Sequence, residues 1–236
     1  MIILFAPAKK MNKGKTYEYK NLLFQDKTNE LVEIILSWEK DEFIDAFKIN
    51  ESMYEMVHSF YLNFSESKAY MPFELYSGES FKAFDYDSLS NLNKEYLNNK
   101  VIIIDSLYGI IHPNSLIKPY RLDFHTKNLN IVSFWKKDIN DYFDNLANKE
   151  ILSLASKEFS SILTKDKNVV SVRFIDEVKG VRKSISVFNK QMRGKLLRYL
   201  IENEINTIKD LPHEIEGYRK EEVIVNNEII YYRLND

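Results

Sequence analysis

The sequence predicts a single α/β or α+β domain built around a mixed β-sheet with surrounding helices. Three short apolar runs, Met1–Phe5, Val101–Ile104 and Ile151–Leu154, read as buried strands, and each empties into a polar segment. Between them lie stretches with apolar residues at helical spacing, so strand and helix signals alternate along the chain. No internal repeat, low-complexity tract or flexible linker breaks the pattern, and residues 1–236 are read as one domain.

Taken in order, Met1–Phe5 ends at Pro7 and is followed by Lys9 and Lys10. A strand opening into a proline turn with lysines builds sites in many α/β proteins, and it also serves simply as a strand end with solvated charges. Asn29–Leu36 and Asp41–Phe47 carry helical periodicity. Glu51–Phe64 continues it and places Met53, Met56, Val57, Phe60 and Phe64 on one stripe expected in the core, with His58 at its boundary. Tyr70–Phe84 is punctuated by Pro72 and Ser77-Gly78. Ser88–Asn98 reads as a helix capped by Ser88 or Ser90.

The stretch Ser106–Leu122 then holds Gly109, Pro113 and Pro119, which cannot share one regular helix or central strand. Its apolar content predicts a rigid, largely buried connection that delivers Lys118, Tyr120 and Arg121 to one place. Asp138–Leu146 reads as a helix. Val169–Ile175 and Lys183–Val187 read as strands joined near Lys179-Gly180. Lys190–Glu204 has the clearest helical pattern, with Met192, Leu196, Tyr199 and Leu200 on one face and Lys190, Gly194 and Arg198 on another. Strands Val223–Val225 and Ile229–Tyr232 are expected to close the tail around an Asn226-Asn227 turn.

Composition narrows the function. Formal net charge is -2 with a pI of about 6.2, so binding to a polyanion would need a local patch. There is no cysteine, which excludes disulfides, thiolate nucleophiles and cysteine-bound metal centres and suits a reducing cytoplasm. No apolar run has the length of a membrane span, and the opening MIILFAPAKK has its charges on the wrong side for a signal peptide. A cytoplasmic protein is expected. His58, His112, His125 and His213 are scattered without ligand spacing, so the sequence specifies no metal site and no cofactor.

Several short motifs stand in a recognisable order: Ala6-Pro7-Ala8-Lys9, Tyr76–Phe81, Leu107–Pro113, Pro119–Asp123, Phe134-Trp135, Ala155–Phe159, and Lys190–Gly194 followed by Leu200–Asn203. Together they resemble the YaaA peroxide-stress-resistance family, over a span reaching the Gly217-Tyr218 tail. The chain departs from the family pattern at Ala6 in place of serine, His112 in place of arginine, Lys136 in place of glycine and Phe159 in place of tyrosine. The resemblance implies a cytosolic protein that protects against hydrogen peroxide by limiting free intracellular iron and oxidative DNA damage. It also implies DNA binding through a helix-hairpin-helix element in a positively charged cleft, placed here at Lys190–Glu204, the bend Glu204–Asn206 and Thr207–Leu211.

Two molecular readings follow. From Lys165 to Arg198 ten basic residues face three acidic ones, a local excess suited to phosphate neutralisation on double-stranded DNA. The candidate nucleic-acid-binding residues are Lys179, Arg182, Lys183, Lys190, Arg193, Lys195 and Arg198, with Gly194 expected to let a phosphate approach the helix backbone. The alternative is an enzyme acting on a nucleotide, nucleic acid or other anionic small molecule. Its candidate pocket is Lys9, Tyr108, Tyr120, Arg121, Ser156 and Glu158, joined by Lys190 and Arg193, with Glu158 as general base. No phosphate-loop, dinucleotide or nucleophile-elbow pattern specifies a reaction. Without cysteine or a haem-ligand pattern, the sequence argues against direct peroxide reduction.

Overall fold

The computed structural model describes residues 1–20, 22–146, 150–221 and 227–235. The three apolar runs form the centre of a mixed sheet that has nine strands among the described residues. β1 (Ile2–Phe5), β2 (Val101–Asp105) and β4 (Ile151–Ser153) are parallel and buried throughout. Strands buried on both faces need unbroken apolar sequence, which is why these runs do not alternate. A short antiparallel β3 (Gly109–Ile111) pairs β2 on one flank. On the other flank β5 (Val169–Val178) runs parallel to β4 and to β9 (Glu228–Asn235). The β5 end carries β6 (Val181–Lys183) as a hairpin, and β7 (Glu214–Ile215) and β8 (Tyr218–Lys220) complete the order β3-β2-β1-β4-β5-β9-β8-β7.

Helices α1 (Gln25–Leu36), α2 (Lys40–Phe47), α3 (Tyr54–Leu62), α4 (Pro72–Leu75), α5 (Glu79–Phe84) and α6 (Asn91–Lys100) all lie between β1 and β2 in sequence. Ser90 caps α6, its side chain accepting from the Asn93 amide. α7 (Ile131–Asp144) and α8 (Lys157–Ser160) flank β4, and α9 (Ser186–Glu202) follows β6. No helix among the described residues is long and apolar enough to cross a membrane.

Several expectations are corrected. Val57 and Phe64 of the expected stripe are buried, but Met56 is 52% exposed; α3 turns Tyr61 inward instead, and its hydroxyl donates to the Arg121 carbonyl. α7 starts at Ile131, seven residues before the expected Asp138, with Asn130 accepting from the Ser133 amide as its cap. Lys183–Val187 is not a strand: pairing with β5 stops at Lys183, and α9 is already formed at Ser186. Asn189 fixes this switch by bonding both the amide and the carbonyl of Phe174 in β5, at 3.0 and 2.6 Å. The helix-hairpin-helix placement meets α9, a left-handed residue at Glu204 and one 3-10 turn, Ile208–Asp210, so the second helix is a single turn. Of the expected tail, Ile229–Tyr232 lies in β9, while Val223–Val225 and Asn226 fall outside the described residues.

The Ser106–Leu122 connection is rigid for identifiable reasons. Trp135 is fully buried and its indole N–H donates to the Ser106 carbonyl at 2.8 Å. Gly109 has φ +71, and a Cβ there would sit 2.8 Å from the Trp135 ring, so both conformation and space demand glycine. Lys118, expected beside Tyr120 and Arg121, is instead buried with its ammonium on the carbonyls of Phe64 and Ser65.

Candidate functional site: a cationic cleft at the strand ends

The connection after β1 leads to β2 on one side and the connection after β4 leads to β5 on the other, so the strand order reverses between β1 and β4. In open α/β sheets such a switch point leaves a crevice beyond the carboxyl ends of the strands. Here a cleft of about 460 Å³ lies there, lined by the segments that leave β1 (Phe5–Met11), follow β4 (Leu154–Phe159) and end the central connection (Tyr120–Thr126). The Ser77–Lys82 segment and the side chains of Lys190 and Arg193 from α9 close it. Phe5, Phe81, Leu122 and Leu154 are buried and form an apolar floor.

The rim is strongly charged. Lys9, Lys10, Lys82, Arg121, Lys190 and Arg193 face three carboxylates, Glu79, Asp123 and Glu158. Some cations are neutralised within the protein: Lys9 pairs with Asp123 at 2.6 Å, and Lys82 with Glu79 at 3.5 Å. Burial works to raise the Asp123 pKa, but Lys9 and the His125 amide overcome it and hold the carboxyl below its ordinary value. Glu79 is likewise lowered, first by a hydrogen bond from Gln191 and then by Lys82. Arg121, Lys190 and Arg193 make no ion pair or side-chain hydrogen bond among the described residues. The Arg193 Nε is buried without a partner, and burial lowers its guanidinium pKa from the ordinary value. Desolvating a cation without pairing it costs free energy. That cost falls on Arg193, while Lys190 is exposed and Arg121 half-buried on the same rim, an arrangement suited to an anion.

Beneath Tyr120 lies a buried polar cluster. Asp105 closes β2 with no exposure, accepting from the Leu107 and Tyr108 amides at 2.9 and 3.0 Å and from the Tyr76 hydroxyl at 2.8 Å. Tyr120 also donates to Asp105, and the two tyrosine oxygens lie 3.0 Å apart. Burial raises the Asp105 pKa against the opposing effect of these donors. Tyr76 and Tyr120 are pushed well above their ordinary value, first by burial and then by the neighbouring Asp105. The cluster fixes Tyr120 at the cleft wall.

Of the pocket candidates, the cleft gathers Lys9, Tyr120, Arg121, Ser156 and Glu158, with Lys190 and Arg193. Tyr108 is a correction: its hydroxyl is bound to the Lys118 backbone, at 2.8 Å to the carbonyl and 2.9 Å from the amide, and its ring packs edge-on to Tyr120. Of the nucleic-acid candidates, only Lys190 and Arg193 line the cleft. Lys179, Arg182 and Lys183 sit on the exposed β5–β6 hairpin, where Arg182 pairs with Glu177 and Glu221. Lys195 pairs with Glu216 at 2.8 Å. Arg198 donates to the Phe84 and Asp85 carbonyls and to Ser88, and pairs with Glu202. Gly194 does not open the helix to a phosphate, because it is buried against the Ser80 backbone.

Sequence reasoning missed Asp105, Tyr76, Ser77 and Lys10. Asp105 left one signal, a carboxylate ending an otherwise apolar strand. The other three reach the site through pairing distant in sequence: the Ser77 amide donates to the Lys10 carbonyl, and Tyr76 bridges Met11. Two departures from the family pattern, Ala6 and Phe159, both line the cleft and remove hydroxyls from it, whereas His112 bonds Tyr142 elsewhere. Among the described residues no group of three or more His, Asp or Glu is placed to hold a metal.

Comparison with known proteins identifies the family. The family model for peroxide stress protein YaaA matches residues 1–223. The chain is 36% identical to a UPF0246 protein of Malacoplasma penetrans over 245 residues, covering 98% of this chain and 96% of the relative. It is 33% identical to a UPF0246 protein of Fusobacterium nucleatum over 229 residues, 92% of each chain. Francisella philomiragia has a UPF0246 protein 30% identical over 230 residues, 89% of this chain and 91% of the relative. With near-complete coverage of both partners, the chain belongs to the peroxide stress protein YaaA family.

Proposed function

We propose that this protein is a cytoplasmic peroxide-stress protein whose molecular activity is to bind phosphate groups of double-stranded DNA at the cationic cleft. The observation that carries the reading is the set Arg121, Lys190 and Arg193, three cations on one rim with no acidic partner among the described residues. Protein–DNA affinity rests chiefly on phosphate neutralisation, for which cations without an acidic partner are directly available. Lys179 and Lys183 of the hairpin are exposed and could add phosphate contacts outside the cleft. At the level of the cell, protection from hydrogen peroxide by limiting free iron and oxidative DNA damage follows the family.

The test is fluorescence anisotropy of a labelled duplex at several salt concentrations. Wild type should bind with a steep salt dependence, and removing each cation that neutralises a phosphate should flatten the slope by about 0.9. Lys190→Ala/Arg193→Ala should flatten it most and Lys179→Ala/Lys183→Ala less. Absence of binding near physiological salt would sink the reading.

An enzyme acting on an anionic small molecule is the second reading, and Glu158 is the observation that favours it. Among the described residues this cleft carboxylate has no lysine or arginine partner, with His125 nearby at 3.8 Å. Under this reading Glu158→Gln abolishes protection while DNA affinity stays intact.

A further inference from the structure

The cleft has two chemically distinct parts, and a duplex can use only one of them. A duplex, whose major groove alone is about 12 Å wide, lies across the rim and cannot enter a cavity of this size. The buried floor of Phe5, Phe81, Leu122 and Leu154 therefore has no role in holding paired DNA. A volume of about 460 Å³ falls in the range of small-ligand sites, roughly 300–1,000 Å³.

The polar groups between floor and rim point the same way. Arg193 has a buried Nε without a partner, and Ser77 has a buried Oγ without one. Both line the cleft, on facing elements held together where Gly194 meets Ser80. Buried donors left unpaired are costly, and an oxyanion with several acceptor oxygens satisfies both at once. Phosphate alone would leave the apolar floor unused. A nucleoside without phosphate would leave Arg193, Lys190 and Ser77 unused.

We infer that the cleft is a binding site for a single nucleoside monophosphate unit, its phosphate held by Arg193, Lys190 and Ser77 and its ring system against the Phe5–Phe81–Leu154 floor. The unit comes either as a free nucleotide or as one nucleotide unstacked from a strand, the two sources sharing one chemistry. The inference rests on the reading of the cleft as a phosphate site and adds to it the size and class of what enters.

Isothermal titration with 5′-deoxynucleoside monophosphates, the matching nucleosides and inorganic phosphate tests it, alongside the duplex measurement above. A mononucleotide should bind at least about tenfold tighter than either fragment, since each fragment forfeits one half of the site. Arg193→Ala should weaken the mononucleotide tenfold or more, with partial recovery in Arg193→Lys, while Lys137→Ala on distant α7 should change nothing. Circular dichroism of Arg193→Ala separates loss of site from loss of fold. Displacement of a bound single-stranded oligonucleotide by the mononucleotide would assign the source to a strand; mononucleotide binding without strand binding would assign it to the free pool. Inorganic phosphate binding as tightly as the mononucleotide would overturn the inference. So would a duplex bound through Lys190 and Arg193 by a protein blind to mononucleotides, an outcome that leaves the DNA reading standing. Mononucleotide binding without duplex binding would do the reverse.

Discussion

Gly194 of α9 lies directly on the carbonyl of Ser80 in α5: a Cβ at Gly194 would come within 2.1 Å of that oxygen and 2.9 Å of its carbon. This approach sets how near Lys190 and Arg193 stand to Ser77 across the cleft. In an exposed helix, replacing glycine with alanine gains about 1 kcal/mol. Here the clash is with backbone, which cannot rotate away, so Gly194→Ala should destabilise by about 1–3 kcal/mol. The midpoint of chemical denaturation should fall, and anion affinity should fall with it because the two walls separate. A variant as stable as wild type would show that the helices are not locked at this point.

Asp105 satisfies four donors at once, the Leu107 and Tyr108 amides and the Tyr76 and Tyr120 hydroxyls. Asp105→Ala leaves all four without this acceptor in a fully buried position and should cost about 3–5 kcal/mol. Asp105→Asn keeps an oxygen for the two amides and offers its amide to the tyrosine oxygens, so it should cost much less. Burial raises the Asp105 pKa in the folded protein, so the folded state binds the proton more readily than the unfolded chain. Its contribution is present below the ordinary value of 3.8 and is lost as pH rises through the folded pKa. Denaturation of wild type and Asp105→Asn at acid and neutral pH checks this: the deficit of the variant should be largest in acid.

Much of the fold was legible because its central strands announce themselves. Apolar runs as short as Val101–Ile104 suit strands buried on both faces, and they proved to be β1, β2 and β4. The cleft was legible to the extent that motif segments leave those strands, which brought Lys9, Tyr120, Arg121, Ser156 and Glu158 together. What stayed hidden depended on pairing at long range. Charge counting cannot distinguish Arg198, consumed by the end of α5, from Arg193, little more than a helical turn away and unpartnered. Nor can helical spacing tell that the open position at Gly194 is filled by another helix. The false strand at Lys183–Val187 came from local β propensity, which the Asn189 bonds to Phe174 override.

His112 is held neutral. Burial lowers its pKa from the ordinary 6.5, and its Nε2 lies 3.0 Å from the Tyr142 hydroxyl. A histidine whose folded pKa is depressed makes the unfolded chain the stronger proton acceptor. The stability it allows is therefore complete above about pH 6.5 and is lost as pH falls from there through the folded pKa. His112→Gln can keep the bond to Tyr142 without titrating. Its unfolding free energy should therefore be flatter than that of wild type between about pH 7 and 5. Parallel denaturation curves for the two proteins across that range would refute the assignment.

Arg193 and Arg198 should respond to mutation in opposite ways, although they share a helix and a charge. Arg198 donates to two carbonyls and a hydroxyl at the end of α5 and pairs with Glu202. Part of this network is solvent-exposed, so Arg198→Ala should cost about 1–2 kcal/mol of stability, less than a fully buried set would. Its effect on anion affinity should vanish once the folded fraction is accounted for. Arg193 makes no such bonds, and its Nε is buried without a partner. Arg193→Met keeps the length of the side chain and removes the unpaired charge, so the protein should become more stable by about 0.5–1 kcal/mol while anion binding is lost. Stability falling in Arg193→Met as it does in Arg198→Ala would mean that Arg193 serves the fold, and the case for an anion at the cleft would lose its central residue.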